Sequence, residues 1–162
     1  MESPKLDSQC KALYKWEGEF PCFDNKMLTL KQCRSAVAWA CKLYRVPIPP
    51  VSIHPLKKGS SFSCDDPYML CLNKRHMNVG ICLHESAHAI HTYLMGHAHE
   101  THGPQFLAIY MNLLLKAGGI SKRALISSLK SLDLEWRPLS LLSPHRIRKT
   151  YRRVITNKKN QD

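Results

Sequence analysis

Six of the nine histidines in this 162-residue chain fall between residues 84 and 102: His84, His88, His91, His97, His99 and His102, with Glu85 and Glu100 among them. Imidazole is the commonest side-chain ligand for transition metals, so the concentration points first to metal chemistry. Within it, His84-Glu85-Ser86-Ala87-His88 sets two histidines four residues apart. On a helix that spacing puts both rings on one face, one turn from each other, as two preset zinc ligands. Glu85 lies about 100° further round the helix. From there its carboxylate can act as general base toward the water that a metal activates, without itself becoming a ligand. A chain of this composition would carry the motif by accident in roughly 2% of cases, so chance is a weak explanation.

A catalytic zinc takes a third protein ligand and keeps its fourth position for water. The extended pattern that would set glycine at position 91 and histidine at 94 is absent, because His91 and Leu94 stand there. The remaining candidates are His97, His99, Glu100 and His102. His102 is singled out because Gly103 permits a tight turn and Pro104 suits the first turn of a following helix, which would hold the ring rigidly. His91, on the metal-facing side of the helix, and His99 are read as polar groups behind the ligands, with stabilisation of an oxyanion as the alternative role for His91.

The elements that must position these groups are legible in part. Asn78 can cap a helix reaching Met95, with Leu83, Ala87, Ile90 and Leu94 as its buried stripe and Gly96 as its stop. Pro104 opens a second helix, with Phe106, Ile109, Tyr110, Leu113, Leu114 and Ala117 on its core face, before Gly118-Gly119. Ser121 caps a last helix to about Leu132. Upstream, Thr29 caps an amphipathic helix carrying Leu30, Cys33, Val37, Ala40, Cys41 and Tyr44, with Trp39 also assigned to the core, and Pro47 ends it. Three short strands follow: one around Val51, Ile53 and Leu56, then Ser60 to Cys64 and Tyr68 to Leu72, joined as a hairpin through Asp65-Asp66-Pro67. The last of these is a candidate edge strand for pairing with an extended peptide. Residues 1 to 28 lack a clean period. Gly18 and Pro21 interrupt the only helical candidate there, so the segment reads as an extension packed on the core by Tyr14, Trp16, Phe20 and Phe23. The fold class expected is α+β: a single domain with a first helix, a small three-stranded sheet, the site-bearing helix and C-terminal helices.

The run His84-Glu85-x-x-His88, thirteen residues, then His102-Gly103-Pro104-Gln105-Phe106 resembles the SprT-like zinc metallopeptidases, in which HExxH is followed by a nearby HGxxF. The preceding helix and three strands are similar to that family's layout, so the resemblance spans roughly residues 29 to 117. It implies a zincin-like fold, with zinc on His84, His88 and His102, water activated by Glu85, and Phe106 packed beneath the site. It also implies a hydrolase, a metalloendopeptidase cutting peptide bonds of a protein substrate, including one associated with DNA. Many members carry a cysteine-based zinc ribbon after the protease core. No cysteine follows Cys82 here.

Composition bounds the rest. With 44% hydrophobic and 22% charged residues the chain is an ordinary globular one, which excludes wholesale disorder. The net charge of +12 is uneven: residues 143–162 hold seven basic groups and one acid, half of the total. Arg146, Arg148, Lys149, Arg152 and Arg153 are therefore candidate nucleic-acid contacts. The seven cysteines are odd in number, scattered and free of Cys-x-x-Cys pairs, which suggests reduced thiols rather than a disulfide framework. Neither a signal-peptide layout nor a membrane-spanning apolar run is present, so the expectation is a cytoplasmic protein without membrane contact. The organisation read from these features is an extension over residues 1–28, the metallopeptidase-like domain over 29–137 and a basic tail over 138–162. A rival reading keeps the fold and zinc but assigns little turnover, making the chain a nucleic-acid-binding or assembly protein.

Overall fold

Leu13 and Trp16, both fully buried, lie on one side of a ten-residue helix, α1 (Cys10–Glu19), in the segment where sequence pattern gave no helix. A glycine inside a helix costs about 1 kcal/mol relative to alanine. Tertiary contacts offset that cost at Gly18: the Trp16 indole N–H donates to Ser128 Oγ at 2.9 Å and its ring meets Tyr110 edge-on at 6.2 Å. Trp16 thus packs on the core as expected, but Tyr14 does not. It is 52% exposed and faces the histidine cluster instead. Phe20 and Phe23 lie outside the described residues; the computed structural model describes 9–19, 26–54, 61–65, 68–96, 101–118 and 120–135.

Thr29 opens α2 (Leu30–Tyr44) with a reciprocal capping box. Its hydroxyl accepts the Gln32 N–H at 3.3 Å while the Gln32 side-chain oxygen accepts the Thr29 N–H at 2.8 Å. The buried face is the expected stripe of Cys33, Val37, Ala40, Cys41 and Tyr44, with Trp39 half-buried against it. Arg45 closes the helix in the left-handed conformation at φ 53°, and Pro47 prevents continuation. The three strands are β1 (Val51–His54), β2 (Phe62–Asp65) and β3 (Tyr68–Asn73); Leu56, Ser60 and the Asp66-Pro67 turn lie outside the described residues.

In the sheet β3 is central, parallel to β1 (Val51 opposite Leu70, Ile53 opposite Leu72) and antiparallel to β2 (Phe62 opposite Cys71, Cys64 opposite Met69). The expected hairpin is therefore present, but β3 is not an edge strand. Its run Leu70-Cys71-Leu72 is buried and its backbone is engaged on both sides, which suits a near-continuous apolar segment better than a peptide-facing edge. Arg34 of α2 ties helix to sheet by donating from Nε and Nη2 to the Val51 carbonyl, both at 3.2 Å.

Three helices follow: α3 (Val79–Met95), α4 (Pro104–Ala117) and α5 (Lys122–Lys130), each starting where its cap was read. α3 is the hub. It packs between α2 and α4 and alongside β2 and β3. One continuous core runs from Leu13 and Trp16 of α1 through α2, β3, α3 and α4 to Leu125 and Leu129 of α5. The architecture is thus a mixed helical and small-sheet fold. No helix among the described residues is long and apolar enough to cross a membrane.

Candidate metal centre

The Asn78 side chain accepts the Ile81 N–H at 2.9 Å and starts α3. Gly96, at φ 72°, ends it. Between these caps every residue from Cys82 to His91 is buried, polar ones included. Leu83, Ala87, Ile90 and Leu94 enter the core, and the i, i+4 spacing then turns His84 and His88 away from it onto a shared face. Their Nε2 atoms stand 3.0 Å apart.

His102 arrives from the far side, on the turn before α4. Pro104 occupies the first turn of that helix, where its missing N–H costs nothing. The ligand nitrogens of His84, His88 and His102 all lie within 4.8 Å of one another, and all three side chains are buried. Two nitrogens bound tetrahedrally to one zinc, each about 2.0–2.1 Å from it, sit roughly 3.3 Å apart. The 3.0 Å pair needs a few tenths of an ångström of opening and the wider separations, up to 4.8 Å, need side-chain closure, so the three imidazoles lie close enough to hold a single ion. Of the other candidates, His97, His99 and Glu100 lie outside the described residues, as do Arg146, Arg148, Lys149, Arg152 and Arg153.

Aromatic rings wall the cluster. Phe106 stacks on His88 with centroids 4.3 Å apart and meets His102 at 5.1 Å and His84 at 5.3 Å, both nearer edge-on. Tyr110 meets His84 edge-on at 5.4 Å. His91 is buried and meets Phe106 edge-on, with centroids 6.4 Å apart.

Three residues of α1 and its approach belong to the site and were not found in the sequence. Glu17 Oε1 accepts from His84 Nδ1 at 2.7 Å. Tyr14 stacks on the face of the same imidazole, 5.9 Å between centroids and 16° between planes, and meets His102 edge-on at 5.6 Å. Gln9 donates to the His102 carbonyl at 3.4 Å and accepts the Glu135 N–H at 2.6 Å. The only local signal was i, i+3 spacing: Leu13 with Trp16 on one side, Tyr14 with Glu17 on the other. One repeat of a period is too little to read.

The electrostatics follow from burial and from these pairings. Burial pushes the Glu85 carboxyl up to about 7; positive charge on His84 pulls it down and the Glu17 charge pushes it up. His88 is held well below the ordinary histidine range, by burial first and then by the charges of His84, His102 and His91. For His84 burial acts in the same downward direction, but the hydrogen bond and charge of Glu17, with Glu85, outweigh it and raise the pKa. Burial, with Cys10, Glu85 and Glu17 nearby, raises Tyr14 to about 12, so its hydroxyl remains an O–H donor at neutral pH. Comparison with known protein families, curated proteins and solved structures found no match.

Proposed function

We propose that this chain is a zinc-dependent endopeptidase of the SprT-like, zincin type that hydrolyses peptide bonds of a protein substrate. One observation carries the reading: three buried imidazoles converge within reach of a single cation, and a buried glutamate follows the first of them on the same helix. Three imidazole nitrogens suit zinc, whereas magnesium and calcium call for oxygen donors.

His84, His88 and His102 would hold the ion, which when bound acts as a Lewis acid on the scissile carbonyl and lowers the pKa of the attacking water. Glu85 takes a proton from that water and returns it to the amine nitrogen as the C–N bond breaks. A carboxyl drawn toward neutrality by burial is a stronger base than an exposed one and, once protonated, remains acidic enough to give the proton back. Phe106 packs against all three imidazoles and limits their freedom to turn. Beside α3, β2 is an edge of the sheet among the described residues, open to backbone pairing with an extended substrate segment. The charge excess in residues 143–162 supports a substrate held near nucleic acid.

The test pairs metal analysis with the Glu85→Gln variant. About one zinc per chain is expected in both proteins. The variant should cut an unfolded protein substrate about 10²–10⁴-fold more slowly, because the amide cannot take the proton. Equal cleavage by the two would overturn the mechanism and leave the non-catalytic, assembly-type reading.

A further inference from the structure

We infer that Glu17 is a positioning residue for the metal centre: its carboxylate, delivered by α1, fixes the tautomer and orientation of His84 so that Nε2 faces the other two ligands. The inference rests on the reading of His84 as a metal ligand. It adds a residue from outside the HExxH helix and an element from outside the segment that carries the motifs.

The argument starts from donor and acceptor roles. A carboxylate can only accept, so at 2.7 Å the proton between Glu17 Oε1 and His84 resides on Nδ1. A neutral imidazole with its proton on Nδ1 has its lone pair on Nε2, the atom 3.0 Å from His88 Nε2. Without the carboxylate the ring is free to take the other tautomer, which would turn an N–H toward the cluster and block an ion. The negative charge also makes Nε2 a more basic donor. Tyr14, one turn earlier on α1, lies flat on the same ring, so a single helix holds His84 both at an edge and on a face.

α1 does not depend on this hydrogen bond for its own place. Leu13 and Trp16 are fully buried, Trp16 donates to Ser128, and Gln9 bonds to both the His102 carbonyl and the Glu135 N–H. Changing Glu17 should therefore perturb the ring it holds and leave the helix docked. Glu17 itself is only 20% exposed in its side chain, so it is not a free surface acid.

The experiment uses the full chain and titrates zinc against a chromophoric chelator in the native protein, Glu17→Ala and Glu17→Gln. Glu17→Ala should weaken zinc affinity about 10–100-fold. Glu17→Gln, whose amide oxygen still accepts the Nδ1–H, should recover part of the loss. Both metal-free variants should still unfold in one cooperative transition, with a midpoint lowered by the lost hydrogen bond in Glu17→Ala and less so in Glu17→Gln. A long-range proton–nitrogen spectrum of the zinc-loaded native protein should show His84 protonated at Nδ1, a readout that needs no variant. Affinity within twofold of native in Glu17→Ala, or His84 carrying its proton on Nε2, would overturn the proposal. Tight zinc binding with the expected loss in Glu17→Ala but no peptide cleavage would uphold Glu17 and overturn the endopeptidase reading. Failure of the native chain to bind zinc would overturn both.

Discussion

α2 and α3 lie side by side in the same core and bury their residues in opposite ways. α2 hides one apolar stripe, Cys33 to Tyr44, and leaves its other side to water. α3 is surrounded along its middle, so that His84, Glu85, Ser86, His88 and His91 are buried with Leu83, Ala87 and Ile90. An apolar stripe is stabilised simply by leaving water. A buried polar face is costly unless each group finds a partner, and here the partners come from α1, from the turn at His102 and, in the proposed reading, from an ion. The comparison shows where the two requirements separate: on α3 the side of Leu83, Ala87, Ile90 and Leu94 holds the fold, and the side of His84 and His88, met by α1 and by the turn before α4, holds the histidine cluster.

That separation gives a graded set of outcomes. The largest concerns the apolar side. Leu83→Ala should lower the unfolding free energy by about 2–5 kcal/mol whether or not zinc is present, because the cavity lies in the core and not at the ligands. Denaturant unfolding with and without chelator measures this. If the loss vanished on removing the metal, the two sides of α3 would be one unit and the contrast with α2 would fail.

Next in size is the contribution of the metal itself. Zinc at a free concentration a hundredfold above its dissociation constant should stabilise the native chain by roughly 2.7 kcal/mol, since it binds the assembled site and not the unfolded chain. The same addition should leave His88→Ala unchanged. In the native chain the gain should shrink as pH falls, because protons compete for ligands that must be neutral. Competition should begin above the ordinary histidine range at His84, where the effect of burial is outweighed by Glu17, and come last at His88, which burial holds well below that range. Calorimetry across this range checks both statements, and equal stabilisation of His88→Ala would remove that residue from the site.

The smallest effect should be shared. Thr29→Ala at the start of α2 and Asn78→Ala at the start of α3 each remove a side-chain acceptor for an otherwise unpaired N–H. Each should cost about 1 kcal/mol, because a cap is local and indifferent to what the helix later buries. A much larger loss for Asn78→Ala, read from the same unfolding curves, would mean that the start of α3 is coupled to the metal site as well.

Legibility in the sequence followed the range of the interaction. Thr29, Asn78, Pro104 and Ser121 were readable as helix starts because caps act over three or four residues. His84 and His88 were readable as a pair because helical geometry alone sets them on one face. His102 was reached through the turn chemistry of Gly103 and Pro104, and the structure brings it to the other two. The strands were also found, but not their order. Putting β3 in the centre requires β1 to pair with it in parallel past β2, and no local pattern encodes a pairing across that distance.

The residues from α1 mark the other limit. Glu17 lies 67 positions before His84 in the chain, and Gln9 lies 93 before His102. Helical period carries no information across such separations, and a ten-residue helix with two core side chains shows almost no period of its own. The chain's local chemistry determined the helix caps and the HExxH pair. Only packing decided that Tyr14 and Glu17 would close over His84, because that contact exists once Leu13 and Trp16 have docked α1 into a core built by the rest of the chain.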